Sequence, residues 1–367
     1  MKFTCDKNTL AREIAVAQEI ISSRNVLSIL SNVLLEAENN TLKIKATDLK
    51  VGFETSIPVN VGESGSTTVF CDKFLGIIRS LPEGEIEFEQ QDSRLIIRPT
   101  SKKIDFQLKS IASDKYPELQ SISEDQYFTM PQKDILEMIT QTVFAVSDDE
   151  TRYFMNGVYF EKQDSSLVMV ATDGRRLSYI KKEITGKIPD FTPVIIPPKI
   201  LNLMKKLSSG EGEVQIAVSE KYIFVRFDNQ HIFSNLIDGQ FPNYNRVIPE
   251  QQPHTIRLEK RPLLEALRRV SLLVEQKSRR IYLTVNEDII LLKSEESEIG
   301  SAKEEIPCDY KGSETSIELN YVYLEEPLKV IEEDSISILF SEASKAITIV
   351  SEPQKEYLHI VMPMQID

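Results

Sequence analysis

DKFLGIIRSL (72–81), PKILNLMKKL (198–207) and VYLEEPLKVI (322–331) decide the fold, because they are one helical phrase written three times. Phe74, Ile77, Ile78 and Leu81 stand at offsets that recur as Ile200, Leu203, Met204 and Leu207, and again as Leu324, Pro327, Leu328 and Ile331. That spacing lines one face of an amphipathic helix. The copies lie 126 and 124 residues apart. At about 100° per residue, Arg79, Lys205 and Lys329 fall opposite the apolar face, basic in every copy. Lys73 and Lys199 precede the first two copies at the same place.

A second helical pattern keeps step with the first. Leu10, Ile14, Ala17 and Ile21 match Ile135, Ile139, Thr142 and Val146, and match Leu263, Leu267, Val270 and Val274. Thr142 is the polar exception. Ala46-Thr47-Asp48 recurs as Ala171-Thr172-Asp173 and Pro117 as Pro242, both 125 residues on. Alternating runs such as Leu42–Ala46, Leu95–Arg98, Leu167–Ala171 and Ile347–Val350 predict strands. Asp173-Gly174 between two such runs signals a hairpin turn. The unit reads as strand, helix, strands, helix, strands. Three copies are expected at 1–123, 124–252 and 253–367, a length sufficient for three small cores.

The formal net charge of −14 argues against a simple DNA reader, which carries a basic surplus. The recurring basic helix positions answer that objection by gathering positive charge on one surface. Cys5, Cys71 and Cys308 are far apart and predict reduced thiols in a cytoplasmic protein. No run is long and apolar enough to cross a membrane. His231, His254 and His359 are isolated, and no phosphate-cradling glycine loop or serine elbow is present. The sequence therefore nominates no catalytic residue, no metal and no cofactor. Glu295, Glu296 and Glu298 read as a solvated strand face.

Six blocks identify a family. MKFT (1–4), LPEGEIEFE (81–89), RYFMNGVYFE (152–161), ATDGRRL (171–177), DGQFPNYNRVIP (238–249) and VMPM (361–364) resemble, in order and along the whole chain, the bacterial beta sliding clamps, the beta subunits of DNA polymerase III. The resemblance implies an α+β DNA clamp fold: three similar domains, each with two helices on antiparallel sheet, closing as a head-to-tail homodimeric ring. It implies a non-catalytic processivity factor that encircles double-stranded DNA without sequence specificity and is opened by a clamp loader. Replicative and translesion polymerases and repair proteins would dock through short peptides.

By matching position, the resemblance places DNA contacts at Arg24, Lys73, Arg79, Arg152, Tyr153, Phe154, Lys199 and Lys205. It places the peptide pocket at Met155, Thr172, Gly174, Arg175, Arg176, Leu177, Pro242, Arg246 and Val247, with Asn320, Tyr323, Ser344, Ala346, Ile360, Met362, Pro363 and Met364. The dimer seam would join Ile78, Phe106 and Leu108 to Leu272 and Leu273, with Lys102 and Lys103 facing the acidic run 295–305. Arg175, Pro327 and the Gln365-Ile366-Asp367 tail depart from the family pattern, and Pro327 predicts a kink or a late helix start. Two rivals stand beside this reading: a docking scaffold that never encloses DNA, and a nucleic-acid-processing hydrolase.

Overall fold

Asp6 ends the first strand, Lys2–Asp6, and starts the first helix, its carboxylate accepting the Thr9 N–H at 2.9 Å. Such a cap satisfies one of the donors that a helix start leaves without a partner. The computed structural model describes residues 1–21 and 29–364. Arg24 and the 365–367 tail lie outside the described residues. Six α-helices occur among them: α1 Lys7–Ile20, α2 Cys71–Ser80, α3 Gln132–Thr142, α4 Pro198–Leu207, α5 Lys260–Val270 and α6 Tyr321–Val330. They are the two predicted helices of each repeat.

The apolar faces are where the periodicity put them. Leu10, Ile14 and Ala17 of α1, Ile135 and Ile139 of α3, and Leu263, Leu267 and Val270 of α5 are buried. Each such leucine or isoleucine contributes roughly 1.5–3 kcal/mol by leaving water. Thr142 is buried as well, and its hydroxyl is satisfied by donating to the Met138 carbonyl one turn back, at 2.7 Å. The fourth apolar position of each set lies beyond its helix. Ile21 caps α1, while Val146 and Val274 are extended residues that follow one-turn 3₁₀ segments. Pro327 neither delays nor divides α6, which starts at Tyr321 under an Asn320 cap and runs unbroken to Val330.

The chain forms two compact units, residues 1–132 with 211–236, and residues 133–210 with 237–367. They cut across the second repeat, because sheets continue from one repeat into the next. In the first unit a 13-stranded sheet joins the repeats where strand Gln230–Asn235 pairs antiparallel with Val51–Pro58. Ile232 stands opposite Phe53, and Phe233 opposite Gly52. In the second unit an eight-stranded sheet joins the repeats where Arg176–Glu183 pairs with Tyr357–Val361. There Leu177 faces Ile360 and Ser178 faces His359. A separate four-stranded sheet completes that unit, with Lys303–Pro307 and Thr315–Asn320 as its edges.

Candidate functional site

Residues 172–177 make the hairpin around which the second unit builds an apolar cluster. Thr172 Oγ1 donates to the Arg176 carbonyl and accepts the Gly174 N–H, at 2.6 and 3.0 Å. Asp173 Oδ1 accepts the Arg175 and Arg176 N–H groups at 2.9 and 3.1 Å. Gly174 takes a φ of +87°, which a residue without a Cβ adopts without strain. The turn therefore presents Leu177 to a cluster formed with Val168, Val170, Ile195, Phe241, Tyr244 and Ile360. Phe154, Ile248 and Ala346 pack against its edge.

Four stretches that are distant in sequence thus meet: the hairpin, residues 241–248, the last strand and the loop before Ile347. Backbone bonds fix the chain end beside them. The Met362 N–H donates to the Arg175 carbonyl and the Met364 N–H to the Glu318 carbonyl, both at 2.9 Å. Met362 is 40% exposed and Val247 41%, so apolar surface faces water above a buried floor. Pro242, Tyr323, Pro363 and Met364 are half-buried around it, and Arg175, Arg246 and Ser344 are exposed.

Some nominated residues do other work. Met155 is buried. Asn320 caps α6 by accepting the Val322 N–H at 3.0 Å. Phe154, nominated for DNA, packs against the Leu177 cluster from the 3₁₀ segment Glu150–Met155. Arg152 is held by Asp149 at 2.9 Å, with a terminal nitrogen close to Gly174. Tyr153 remains exposed. Phe241 and Tyr244 of the floor went unnamed, although both lie in the quoted DGQFPNYNRVIP block.

The basic helix positions are solvent-facing. Lys73 and Arg79 on α2, and Lys199 and Lys205 on α4, are exposed while the apolar faces of those helices are buried. Lys329 on α6 is exposed as well and pairs with Glu325 at 2.8 Å, as Lys73 does with Asp72 at 3.7 Å.

Of the nominated seam, Ile78 is fully buried in its own unit and offers no surface, because it belongs to the inward face of α2. Phe106 and Leu108 are half-buried in strand Phe106–Ile111. That strand pairs with Arg94–Pro99 along one side and, on the other, is bonded at Ser110 and Ile111 alone among the described residues. Leu272 is 80% exposed, and so is Ile299, at 83%, in a turn that brings Gly300 against Leu273. Ile299 was missed because it sits inside an acidic run. Glu304 of that run is held within the chain by Arg269, at 2.6 and 2.9 Å.

Burial pushes the thiols of Cys5 and Cys71 up to about 12, which keeps them protonated and unreactive. Among the described residues, no group of His, Cys, Asp and Glu is arranged to hold a metal ion, and no helix is long and apolar enough to cross a membrane.

Known proteins resemble this chain along its full length. Family models for the N-terminal, central and C-terminal domains of the DNA polymerase III beta subunit match residues 1–120, 129–243 and 245–365. The beta sliding clamp of Treponema pallidum is 44% identical, and that of Escherichia coli 29%, with all of each chain covered. Crystal structures of sliding clamps from Pseudomonas aeruginosa and Bacillus subtilis each superpose with a TM-score of 0.95, at 27% and 28% identity over all of both chains. With its three-domain α+β fold, the chain belongs to the DNA polymerase III beta subunit family, the sliding clamps that serve as non-catalytic processivity subunits of the replicative polymerase.

Proposed function

We propose that two copies of this chain close head to tail into a ring around duplex DNA, with domains at 1–123, 124–252 and 253–367. The cleft of the second unit takes short peptides from polymerases and repair proteins. The observation that carries the docking role is the half-exposed Met362 and Val247 above a floor drawn from four distant stretches. Methionine-bearing surface repacks around different anchors, which suits a hub with several clients.

Ring closure is supported by two incompletely paired strands, Phe106–Ile111 and Lys303–Pro307. Unpaired strand edges are templates for another chain. Beside the second of them stand the exposed Leu272 and Ile299, apolar surface that a second chain would cover. Lys102 and Lys103 against the acidic run would favour unlike surfaces meeting, hence head-to-tail closure. Lys73, Arg79, Lys199, Lys205 and Tyr153 would face the DNA, with Arg24. A loader opens the ring, and the setting is the bacterial cytoplasm.

Retention on DNA tests enclosure. A groove binder contacting Z phosphates loses affinity with salt at a log–log slope of about −0.9Z. A loaded ring is expected to stay on covalently closed circles at high salt and to leave when the circle is cut. Equal loss from circular and linear DNA would return the protein to the class of docking scaffolds. Sedimentation as a monomer at micromolar concentration would exclude the ring outright.

A further inference from the structure

We infer that Glu326 is a positioning residue for the peptide cleft, acting from α6 through the guanidinium of Arg176. The inference deepens the reading of the cleft as the client site and rests on it for its functional consequence. Arg176 was nominated as a pocket residue, and its side chain is turned inward, 10% exposed. Its Nε donates to Asp173 Oδ2 at 3.0 Å, one terminal nitrogen to Glu326, and the other to the Phe144 carbonyl at 2.8 Å. The guanidinium lies over the Tyr323 ring at 4.7 Å and the Phe144 ring at 5.6 Å.

A planar fork that bonds along three directions while stacking on two rings is a role for arginine and not for lysine. Of the two carboxylates that grip it, Asp173 belongs to the hairpin itself and Glu326 to α6. The hairpin is therefore tied to the helix through Arg176. Leu177 of the cleft floor is the next residue, and the neighbouring Arg175 carbonyl holds the Met362 N–H. Tyr323, beneath the guanidinium, is a rim residue on the same helix as Glu326. Without Glu326, Arg176 keeps Asp173 and Phe144, so the turn still forms but loses its tether. The corresponding position one repeat earlier is Val51, which is buried and carries no such tie.

The test compares wild type with Glu326→Ala, Glu326→Gln, Arg176→Ala and the double variant Arg176→Ala/Glu326→Ala. A synthetic peptide carrying one glutamine with leucine and phenylalanine anchors is titrated into each by calorimetry. Amide exchange is followed in parallel at Gly174, Arg175, Arg176 and Met362. Glu326→Ala should weaken the peptide roughly fivefold or more and speed exchange at Met362, with Glu326→Gln between it and wild type. In the Arg176→Ala background, losing Glu326 should change neither readout further. Unchanged affinity and exchange in Glu326→Ala, or losses that simply add in the double variant, would overturn the inference. If exchange responds as expected while wild type fails to bind the peptide, the tether stands and the client reading falls.

Discussion

Thr47 and Thr172 open two hairpin turns that are made the same way and lead to different surroundings. Thr47 Oγ1 donates to the Val51 carbonyl and accepts the Leu49 N–H, at 2.9 and 3.0 Å, while Asp48 Oδ1 accepts the Lys50 and Val51 N–H groups. Thr172 and Asp173 repeat every one of those bonds. Beyond the first turn, Gly52 stands opposite Phe233, whose ring occupies the glycine's place: a Cβ there would lie 2.0 Å from Phe233 Cε1. Phe233 joins Ala217 and Phe224, and Leu119 and Ile122 close over them. Beyond the second turn, Leu177 stands opposite Ile360, and Tyr244 and Val247 hold the places of Leu119 and Ile122. The first junction packs aromatic rings over a glycine beside a small cavity of about 160 Å³, and the second sets exposed Met362 and Val247 over a buried aliphatic and aromatic floor. The difference lies in which member of a strand pair carries the bulk, since the backbone bonding is shared.

One residue further on, the pairs diverge in polarity. Phe53 and Ile232 meet in the first unit, Ser178 and His359 in the second. His359 Nδ1 lies 3.0 Å from Ser178 Oγ and its Nε2 lies 3.1 Å from Gln141 Oε1. A carbonyl oxygen can only accept, so Nε2 carries the proton and Nδ1 accepts from the serine. Complete burial pushes this imidazole down to about 3. The unfolded chain binds the proton first, near its ordinary value of about 6.5. Stability from this group is therefore intact above pH 6.5 and drains as pH falls towards 3, by up to about 1.4 kcal/mol per pH unit. His359→Gln keeps hydrogen-bonding groups and has nothing to titrate. Urea unfolding across pH 7 to 4 should show wild type losing several kcal/mol relative to the variant. Parallel curves would mean that the imidazole is not held neutral, and that the two junctions do not differ in acid.

The first junction can be strained in turn. Gly52→Ala drives a methyl into the Phe233 ring and should cost about 1–3 kcal/mol, the range for overpacking. Shrinking the ring with Phe233→Leu should make the pair of changes less costly than their sum. Additive losses in thermal unfolding would show that Phe233 does not fill the place of Leu177's counterpart.

What was legible in the sequence follows from the range of each signal. Helix faces read correctly because Leu10, Ile14, Phe74 and Ile78 obey a local period. That same burial removed Ile78 from the seam, since a residue on the inward face of α2 cannot also meet a second chain. Helix ends were overrun at Ile21, Val146 and Val274, because apolar residues beyond a helix can still point to the core. The Thr-Asp turns were visible as repeated words, whereas what packs beyond each turn depends on cross-strand partners 181 to 183 positions away, Gly52 with Phe233 and Leu177 with Ile360. No short-range pattern carries that pairing. Glu326 left no trace for the same reason, while Ile299 was hidden by the charge of its neighbours.

The second junction should respond at its exposed residues and leave the fold alone. Met362→Ala with Met364→Ala removes apolar surface from above the cleft floor. A peptide of the proposed client class should bind at least tenfold more weakly, or about 1.4 kcal/mol, with the melting temperature and the sedimentation coefficient preserved. Unchanged affinity in a folded variant would mean that these methionines serve only to tie down the chain end, through their bonds to Arg175 and Glu318.

The smallest effect tests whether the two turns are equivalent where they are most alike. Leu49 and Gly174 occupy the same position, at φ values of +70° and +87°. An L-residue is strained in that region and glycine is not, but glycine brings the unfolded chain more freedom to lose. Leu49 is exposed, so no packing offsets its strain. Leu49→Gly should therefore be neutral or stabilising by about 0.5 kcal/mol. Gly174→Ala should cost about 1 kcal/mol from the same strain, and its methyl would lie 2.9 Å from a terminal nitrogen of Arg152. That nitrogen ends a flexible side chain and can swing aside, so strain should outweigh the clash. Chemical denaturation of the two variants, with each transition assigned to its unit by amide exchange, reads both changes. If Leu49→Gly destabilises the first unit by as much as Gly174→Ala does the second, the leucine makes a contact that its exposure conceals, and the turns are alike in their bonds but not in their energies.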